Sequence, residues 1–240
     1  MADSDTDPDL DPGTAPEDLL PESTRRLVRT ADGLEDPAYA APSLLPGWSR
    51  AHVLAHLALN AEGLAGALAG IGEGRSVPMY LSQEARDADI EELAGKEPAA
   101  IRARLLGACT DLIDAMAAIP DDAWTTTVER VPGGPTFPAA VVPDMRLREV
   151  EIHHADLAAG YDRTDWPPAF AALLLDTALA RHGAEPGFTA YATDLDRTWS
   201  FGPGPTVSGT AADLAWWLTG RGSGDGLTSD SGELPQMGTW

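Results

Sequence analysis

The sequence predicts a mixed α+β protein, with an N-terminal antiparallel four-helix bundle followed by a small α/β C-terminal domain. Amphipathic stretches with the 3.6-residue period of a helix, joined by short Gly- and Pro-containing connections, continue to about residue 162. From there, short β-rich runs alternate with turn residues. We therefore expect a disordered acidic tail over residues 1–18, the bundle over residues 19–162 and the α/β domain over residues 163–240.

Capping and breaking residues set the limits of each predicted element. Ser49 is a suitable N-cap, Gly72 a suitable stop, and Pro143 a suitable first-turn residue. Four or five helices are predicted in this part of the chain, over residues 22–34, 49–71, 82 onward, 98–119 and 143–160, and their short connections indicate an antiparallel bundle. The C-terminal domain is predicted to contain helices over 166–182 and 211–219 and strands within 188–193, 198–201 and 206–208.

Charge and composition exclude several functions. The net charge of −22 argues against binding to nucleic acid or anionic lipid, which requires clustered Lys and Arg. We see no apolar run of membrane-spanning length and no signal peptide. The single cysteine, Cys109, excludes a disulfide framework and fits a cytoplasmic location; its apolar setting, without a visible basic partner, predicts an inert core residue.

Two stretches about ninety residues apart carry potential metal ligands on predicted helices. In the first, His56 and Asn60 fall within an apolar stripe, so their burial requires polar partners. In the second, Glu149 and His153 are four residues apart and can converge on one ion, while Asp156 can orient His153. Together, His56, Glu149 and His153 offer three ligands for one divalent metal and leave a fourth position open.

Each ligand also has a simpler interpretation. His56 alone is typical of a hydrogen-bonded core histidine, and Glu149 alone of a surface residue paired with Arg146 or Arg148. His52 lies four residues before His56, but we place it in the first turn or facing solvent, because a fourth protein ligand would close the site.

Lys and Arg together number 16 against 38 Asp and Glu, which draws attention to Arg86 and Arg221. A guanidinium facing the metal would suit a substrate with two carboxylates through bidentate hydrogen bonds. A surface ion pair in an acidic protein remains the alternative for each of them.

The motifs resemble those of the mycothiol-dependent maleylpyruvate isomerase family, within the wider group of DinB-like metal-binding helical bundles. The similarity extends from about Ser23 to the C-terminus. The matching segments are Leu45-Pro46-Gly47-Trp48-Ser49-Arg50, Ala55-His56-Leu57, Asn60-Ala61-Glu62-Gly63-Leu64, the run from Arg148 to Leu157, and Trp217-Leu218-Thr219-Gly220-Arg221.

The resemblance implies a zinc site formed by His56, Glu149 and His153, mycothiol as thiol cosubstrate, and functional roles for Arg221 and, more weakly, Arg86. It implies an enzyme that converts maleylpyruvate to fumarylpyruvate by reversible thiolate addition. The alternatives are a mycothiol S-transferase acting on another electrophile, or a non-catalytic sensor that binds metal or thiol. In each enzymatic case the expected partner is a small electrophile that bears a carboxylate.

Overall fold

The computed structural model describes residues 15–181 and 187–237. Most of the predicted acidic tail, residues 1–14, and the end of the predicted helix over 166–182 lie outside the described residues. The chain divides into two compact units. One comprises residues 20–161, and the other comprises the chain from Asp162 onward together with its first residues. Helices in the first unit and a small sheet in the second confirm the predicted α+β class.

The helical unit is built from five helices. They are α1 (Pro16–Gly33), α2 (Arg50–Gly72), α3 (Gln83–Ala94), α4 (Pro98–Ala118) and α5 (Val142–Asp156). α1 begins six residues before its predicted start, and α5 ends four residues before its predicted end. The early end of α5 follows from Ala158, whose φ of 51° takes the chain out of the helix. Arg50 Nε then donates to the freed Leu157 carbonyl at 2.8 Å.

α2 is the central helix of this unit and packs against α3, α4 and α5. Within the described residues it is the one helix long and apolar enough to cross a membrane, which the sequence analysis missed. Its most apolar window is 72% buried inside the fold, as expected for a core helix. A polar side chain on this helix therefore needs a partner from a neighbouring element.

The chain after α2 turns back and lies directly against it along two glycines. A Cβ at Gly63 would lie 2.9 Å from the Met79 carbonyl oxygen, and one at Gly70 would lie 2.6 Å from Val77 Cγ2. We call Gly63 and Gly70 the glycine track. On its other side the returning segment is held by Tyr80, whose N–H donates to the Arg130 carbonyl at 3.0 Å. The track thus fixes the backbone just before α3.

A short hairpin precedes α5. Its strands β1 (Thr127–Glu129) and β2 (Thr136–Pro138) pair antiparallel around the turn Pro132-Gly133-Gly134-Pro135.

The second unit contains a four-stranded sheet and two helices. Its elements are α6 (Pro168–Arg181), β3 (Thr189–Ala192), β4 (Arg197–Ser200), β5 (Thr206–Gly209), α7 (Ala211–Leu218) and β6 (Thr228–Ser229). The strand order is β4-β3-β5-β6, with β3 and β5 parallel and the other pairs antiparallel. The three predicted strands and both predicted helices correspond to β3, β4, β5, α6 and α7. The two-residue strand β6 was not predicted, because it has no alternating pattern of its own.

Candidate metal centre

The start of α2 is fixed by a reciprocal cap that orients the first ligand helix. The Ser49 side chain accepts from the His52 N–H, and His52 Nδ1 accepts from the Ser49 N–H at 3.2 Å. His52 Nε2 lies 3.2 Å from Glu91 on α3. His52 is therefore a first-turn capping residue, as the sequence analysis preferred. One turn later, His56 is 5% exposed and faces α5.

The structure brings His56, Glu149 and His153 together. His56 Nε2 lies 2.8 Å from Glu149 Oε2, and His153 Nε2 lies 3.4 Å from the same oxygen. The two imidazole rings meet edge to face, with centroids 4.8 Å apart. All three potential ligand atoms lie within 4.8 Å of one another. Because the Glu149 side chain is 30% exposed, one side of the cluster is accessible from solvent.

Protonation in the cluster follows from burial and from the central carboxylate. Burial would raise the pKa of Glu149, but the charges and hydrogen bonds of His56 and His153 outweigh it and hold the pKa well below its usual range. Burial lowers the pKa of His56. Burial also opposes charge on His153, but the hydrogen bonds that its ring donates to Asp156 and Glu149 raise its pKa to about 9. The site therefore offers an ionised carboxylate and one neutral imidazole, while the second imidazole must lose a proton before it can bind a metal.

Asp156 fixes the orientation of His153. Its carboxylate is fully buried, and Oδ2 lies 2.8 Å from His153 Nδ1. The Nδ1–H therefore donates to Asp156, which leaves Nε2 directed at Glu149. Imidazoles that bind metals are commonly held by a carboxylate in this way. Two imidazole nitrogens and one carboxylate oxygen form the donor set of catalytic zinc sites. The cluster fits a zinc ion on these grounds.

Arg86 contacts the far side of the His56 ring. Its Nη2 lies 3.1 Å from His56 Nδ1, and its Nη1 donates to Asp87 at 2.7 Å. A guanidinium can only donate, so His56 Nδ1 must be the acceptor. The ring proton then sits on Nε2 and is donated to Glu149. Arg86 thus lies at the cluster, where the sequence analysis proposed it.

Two aromatic residues beside the cluster had not been singled out as site residues. Trp48 packs edge to face on His56, with centroids 5.7 Å apart. The Tyr80 ring lies 5.8 Å from the Arg86 guanidinium carbon, and the two line a cavity of about 220 Å³. Burial, followed by the charge of Glu149, raises the pKa of Tyr80. Trp48 was visible in a quoted motif, but Tyr80 is brought here by the glycine track and gave no local signal.

A second polar cluster lies away from the ligands and joins α5 to α1. His154 stacks on Tyr161 with centroids 3.7 Å apart, and its Nε2 lies 2.7 Å from Thr30 Oγ1. Glu151 is fully buried, pairs with Arg26 at 3.2 Å and accepts from the Tyr161 hydroxyl. His154 therefore packs and forms hydrogen bonds away from the ligands, while the role of Glu151 was not predicted.

Arg221 lies in the second unit, after the end of α7. Its Nη1 donates to the Thr219 carbonyl at 3.3 Å, and its guanidinium carbon lies 5.7 Å from the Trp216 ring. A functional role for Arg221 stays a prediction.

Fold and site together define a class: a two-part α+β protein whose helical unit carries a His–Glu–His cluster on two helices. Comparison with protein families places the chain within that class. Residues 20–158 match the mycothiol maleylpyruvate isomerase N-terminal domain, and residues 165–239 match the MDMPI C-terminal domain. The chain belongs to the mycothiol-dependent maleylpyruvate isomerase family.

Solved structures agree with the family match. The crystal structure of the mycothiol-dependent maleylpyruvate isomerase is 30% identical in sequence, with a TM-score of 0.85 over 94% of this chain and 95% of that one. The crystal structure of a histidine-to-alanine mutant of the mycothiol-dependent maleylpyruvate isomerase, also 30% identical, gives a TM-score of 0.84 over the same shares. Comparison with curated protein sequences gave no significant match. The structural relatives are enzymes, and we treat this protein as one.

We expect His56→Ala to abolish stoichiometric binding of Zn²⁺ or Co²⁺, because two remaining ligands cannot hold the ion against water. His52→Ala is the matched control, since it removes a histidine one turn away that caps the helix. It should retain one bound metal per chain by elemental analysis after dialysis. Stoichiometric metal in His56→Ala would show that the ion is held elsewhere.

Asp156→Asn should lower metal affinity about 10- to 100-fold, because a neutral amide holds the His153 ring less firmly and makes Nε2 a weaker ligand. Competition with a chromophoric chelator measures this change. Asp144→Asn removes a carboxylate on the same helix that pairs with Arg148 at 2.8 Å, and it should leave the affinity unchanged. Equal losses in the two variants would assign the effect to net charge alone.

Proposed function

We propose that the protein is a zinc-dependent, mycothiol-using isomerase that converts maleylpyruvate to fumarylpyruvate. The observation that carries this proposal is the convergence of His56 Nε2, Glu149 Oε2 and His153 Nε2 in a cluster with one accessible side. Family membership supports the mycothiol dependence. A zinc ion held by these three atoms would supply an open coordination position at which a thiol loses its proton near neutral pH.

The chain's own groups prepare the site for thiol chemistry. Glu149 contributes the negative charge that offsets a divalent cation, and Asp156 keeps the His153 proton on Nδ1. Trp48 packs against the His56 ring in an edge-to-face contact. Cys109, the single cysteine of the chain, accepts a hydrogen bond from Arg146 in the core and is not one of the three clustered ligands. The reacting thiol is therefore proposed to come from the cosubstrate.

Isomerisation needs only reversible addition. The thiolate adds to the activated C=C bond of maleylpyruvate, and the electron pair moves onto the conjugated carbonyl as an enolate. Rotation about the new single bond and return of the electron pair expel the thiolate and leave the trans product. No thiol is consumed. A transferase would instead protonate the adduct and release it, so the fate of the thiol distinguishes the two activities.

Arg86 is proposed to bind a substrate carboxylate once the ligands are engaged. When His56 Nε2 is used as a ligand, the ring proton must move to Nδ1, and an N–H then faces the Arg86 Nη2 donor. Two donors cannot form a hydrogen bond, so Nη2 is released from His56 while Nη1 keeps its contact with Asp87. The released Nη2 can then donate to a substrate carboxylate beside His56. Arg221 is retained as a second proposed carboxylate-binding residue on the family resemblance.

The remaining expectations are part of this proposal. The natural electrophile is taken to be small and to bear a carboxylate, and the cytoplasmic location stays a prediction from cysteine usage.

The direct test incubates zinc-loaded protein with mycothiol and maleylpyruvate and follows both product absorbance and free thiol. We expect fumarylpyruvate to form with the thiol concentration unchanged, and no reaction without thiol or with metal-free His56→Ala. Loss of thiol with formation of a conjugate would identify an S-transferase. Full turnover by a protein shown to be metal-free would overturn the zinc dependence.

The direction of the hydrogen bond between His56 Nδ1 and residue 86 gives a second test. Arg86→Gln and Arg86→Met both remove the charge, but only Gln offers a carbonyl that can accept from Nδ1–H in the metal-loaded protein. We expect zinc affinity about 2- to 10-fold higher for Arg86→Gln than for Arg86→Met, the contribution of one hydrogen bond. In wild-type protein, ¹⁵N-histidine NMR should show the His56 proton on Nε2 without metal and on Nδ1 with zinc. Equal affinities, or a proton on Nδ1 in both states, would contradict the release of Arg86.

A further inference from the structure

Arg146 is a buried arginine outside the ligand cluster that joins the two ligand helices. It lies on α5, three residues before Glu149, and is 1% exposed. Its Nη1 donates to the Leu57 carbonyl at 2.9 Å and to Asn60 Oδ1 at 2.8 Å, both on α2. Leu57 directly follows His56. One guanidinium nitrogen therefore bonds to α2 beside its metal ligand and again one turn further along.

The same side chain reaches a third helix. Arg146 Nη2 lies 3.4 Å from Cys109 Sγ on α4. The sequence analysis had found no basic partner for Cys109, and it had marked Asn60 as a polar residue that needs a partner. Arg146 is the partner of both residues. It is the long-range partner that neither sequence segment could indicate alone.

This arrangement is a costly way to hold helices together. Among residues 15–181 and 187–237, no carboxylate forms an ion pair with the Arg146 guanidinium, so its charge is buried with only neutral acceptors. Burying a charge without a counter-ion costs free energy of folding, and an apolar side chain of the same volume would stabilise the fold more. Stability alone does not account for an arginine here. Buried polar groups are best attested as devices that fix one register among several.

A register device is needed at this helix pair. α2 is apolar over most of its surface, and apolar contacts are non-directional, so the register depends on the few polar contacts made by Arg50, His56 and Arg146. A slip of one helical turn moves a side chain by about 5.4 Å, more than the spread of the three ligand atoms. The planar guanidinium donates in fixed directions, so both bonds to α2 are lost if α5 slides or rotates.

We propose that Arg146 is a positioning residue for the metal centre: it sets the register of α5 against α2 and hence the separation of His56 from Glu149 and His153. This inference rests on the proposed metal site. Arg146 does not touch the ligands. It acts through the two backbones that carry them.

The test separates positioning from stability with a double variant. Arg146→Met with Asn60→Leu replaces the charge and its side-chain acceptor with apolar groups of similar size, a change that can leave folding nearly unaffected. We expect a melting temperature close to wild type, a fall in Co²⁺ affinity of about 10- to 100-fold, and an altered visible spectrum of the bound cobalt. Arg146→Lys keeps the charge and the donors but not the planar fork, and its affinity should lie between the two.

Leu112→Ala is the matched control. It opens a cavity in the core on α4 and touches no polar contact between α2 and α5, so it should lower the melting temperature and leave the cobalt spectrum unchanged. Wild-type affinity and spectrum in the double variant would overturn the positioning role. If that variant does not fold, unchanged affinity in Arg146→Lys overturns it equally. A wild-type protein that binds no cobalt would instead reject the metal site itself, and this inference with it.

Discussion

The carboxylate of Glu149, held between two imidazoles from different helices, is the interaction on which the chemistry of the helical unit depends. A single oxygen lies within 3.4 Å of His56 Nε2 and His153 Nε2. The ionised carboxylate makes this concentration of three polar groups tolerable where α2 and α5 pack together. Because His56 lies on α2 and Glu149 on α5, their hydrogen bond also joins the two helices. Without that charge the two imidazoles would meet with no acceptor between them.

The two imidazoles are not equivalent, and their outer nitrogens explain the difference. His153 Nδ1 faces the buried carboxylate of Asp156, whereas His56 Nδ1 faces the guanidinium of Arg86. An acceptor on one side and a donor on the other select opposite tautomers. Burial lowers the pKa of His56, whereas hydrogen bonds to Asp156 and Glu149 raise the pKa of His153 to about 9. His153 is held by a buried carboxylate, while the His56 ring contacts Arg86, whose side chain is 13% exposed.

Features encoded by short stretches of sequence were predictable, and those that depend on distant contacts were not. Helix periodicity gave the five helices of the first unit, and the four-residue spacing gave the shared face of Glu149 and His153. Pairing that face with His56 needed two helices at once, and there the family resemblance contributed. The roles of Tyr80 and Arg146 were not predicted, because they arise from contacts across the fold; Arg146 had been considered only as an ion-pair partner of Glu149 and instead contacts α2 and α4. The end of α5 was misplaced because an alanine adopts a left-handed conformation there, which pattern alone does not suggest.

The residues suited to bind a metal and the residues that line the cavity lie on different elements, which meet at the glycine track. The groups suited to hold a metal lie on α2 and α5, whereas Tyr80 ends the segment that lies against Gly63 and Gly70, and Arg86 lies on α3, which follows it. In the proposed function, exchanging residues of that segment would change the lining of the cavity, as long as Gly63 and Gly70 stay without side chains. The segment would then be a replaceable element beside the helices that carry the metal ligands. Diversification towards new electrophiles would be expected to begin in that segment.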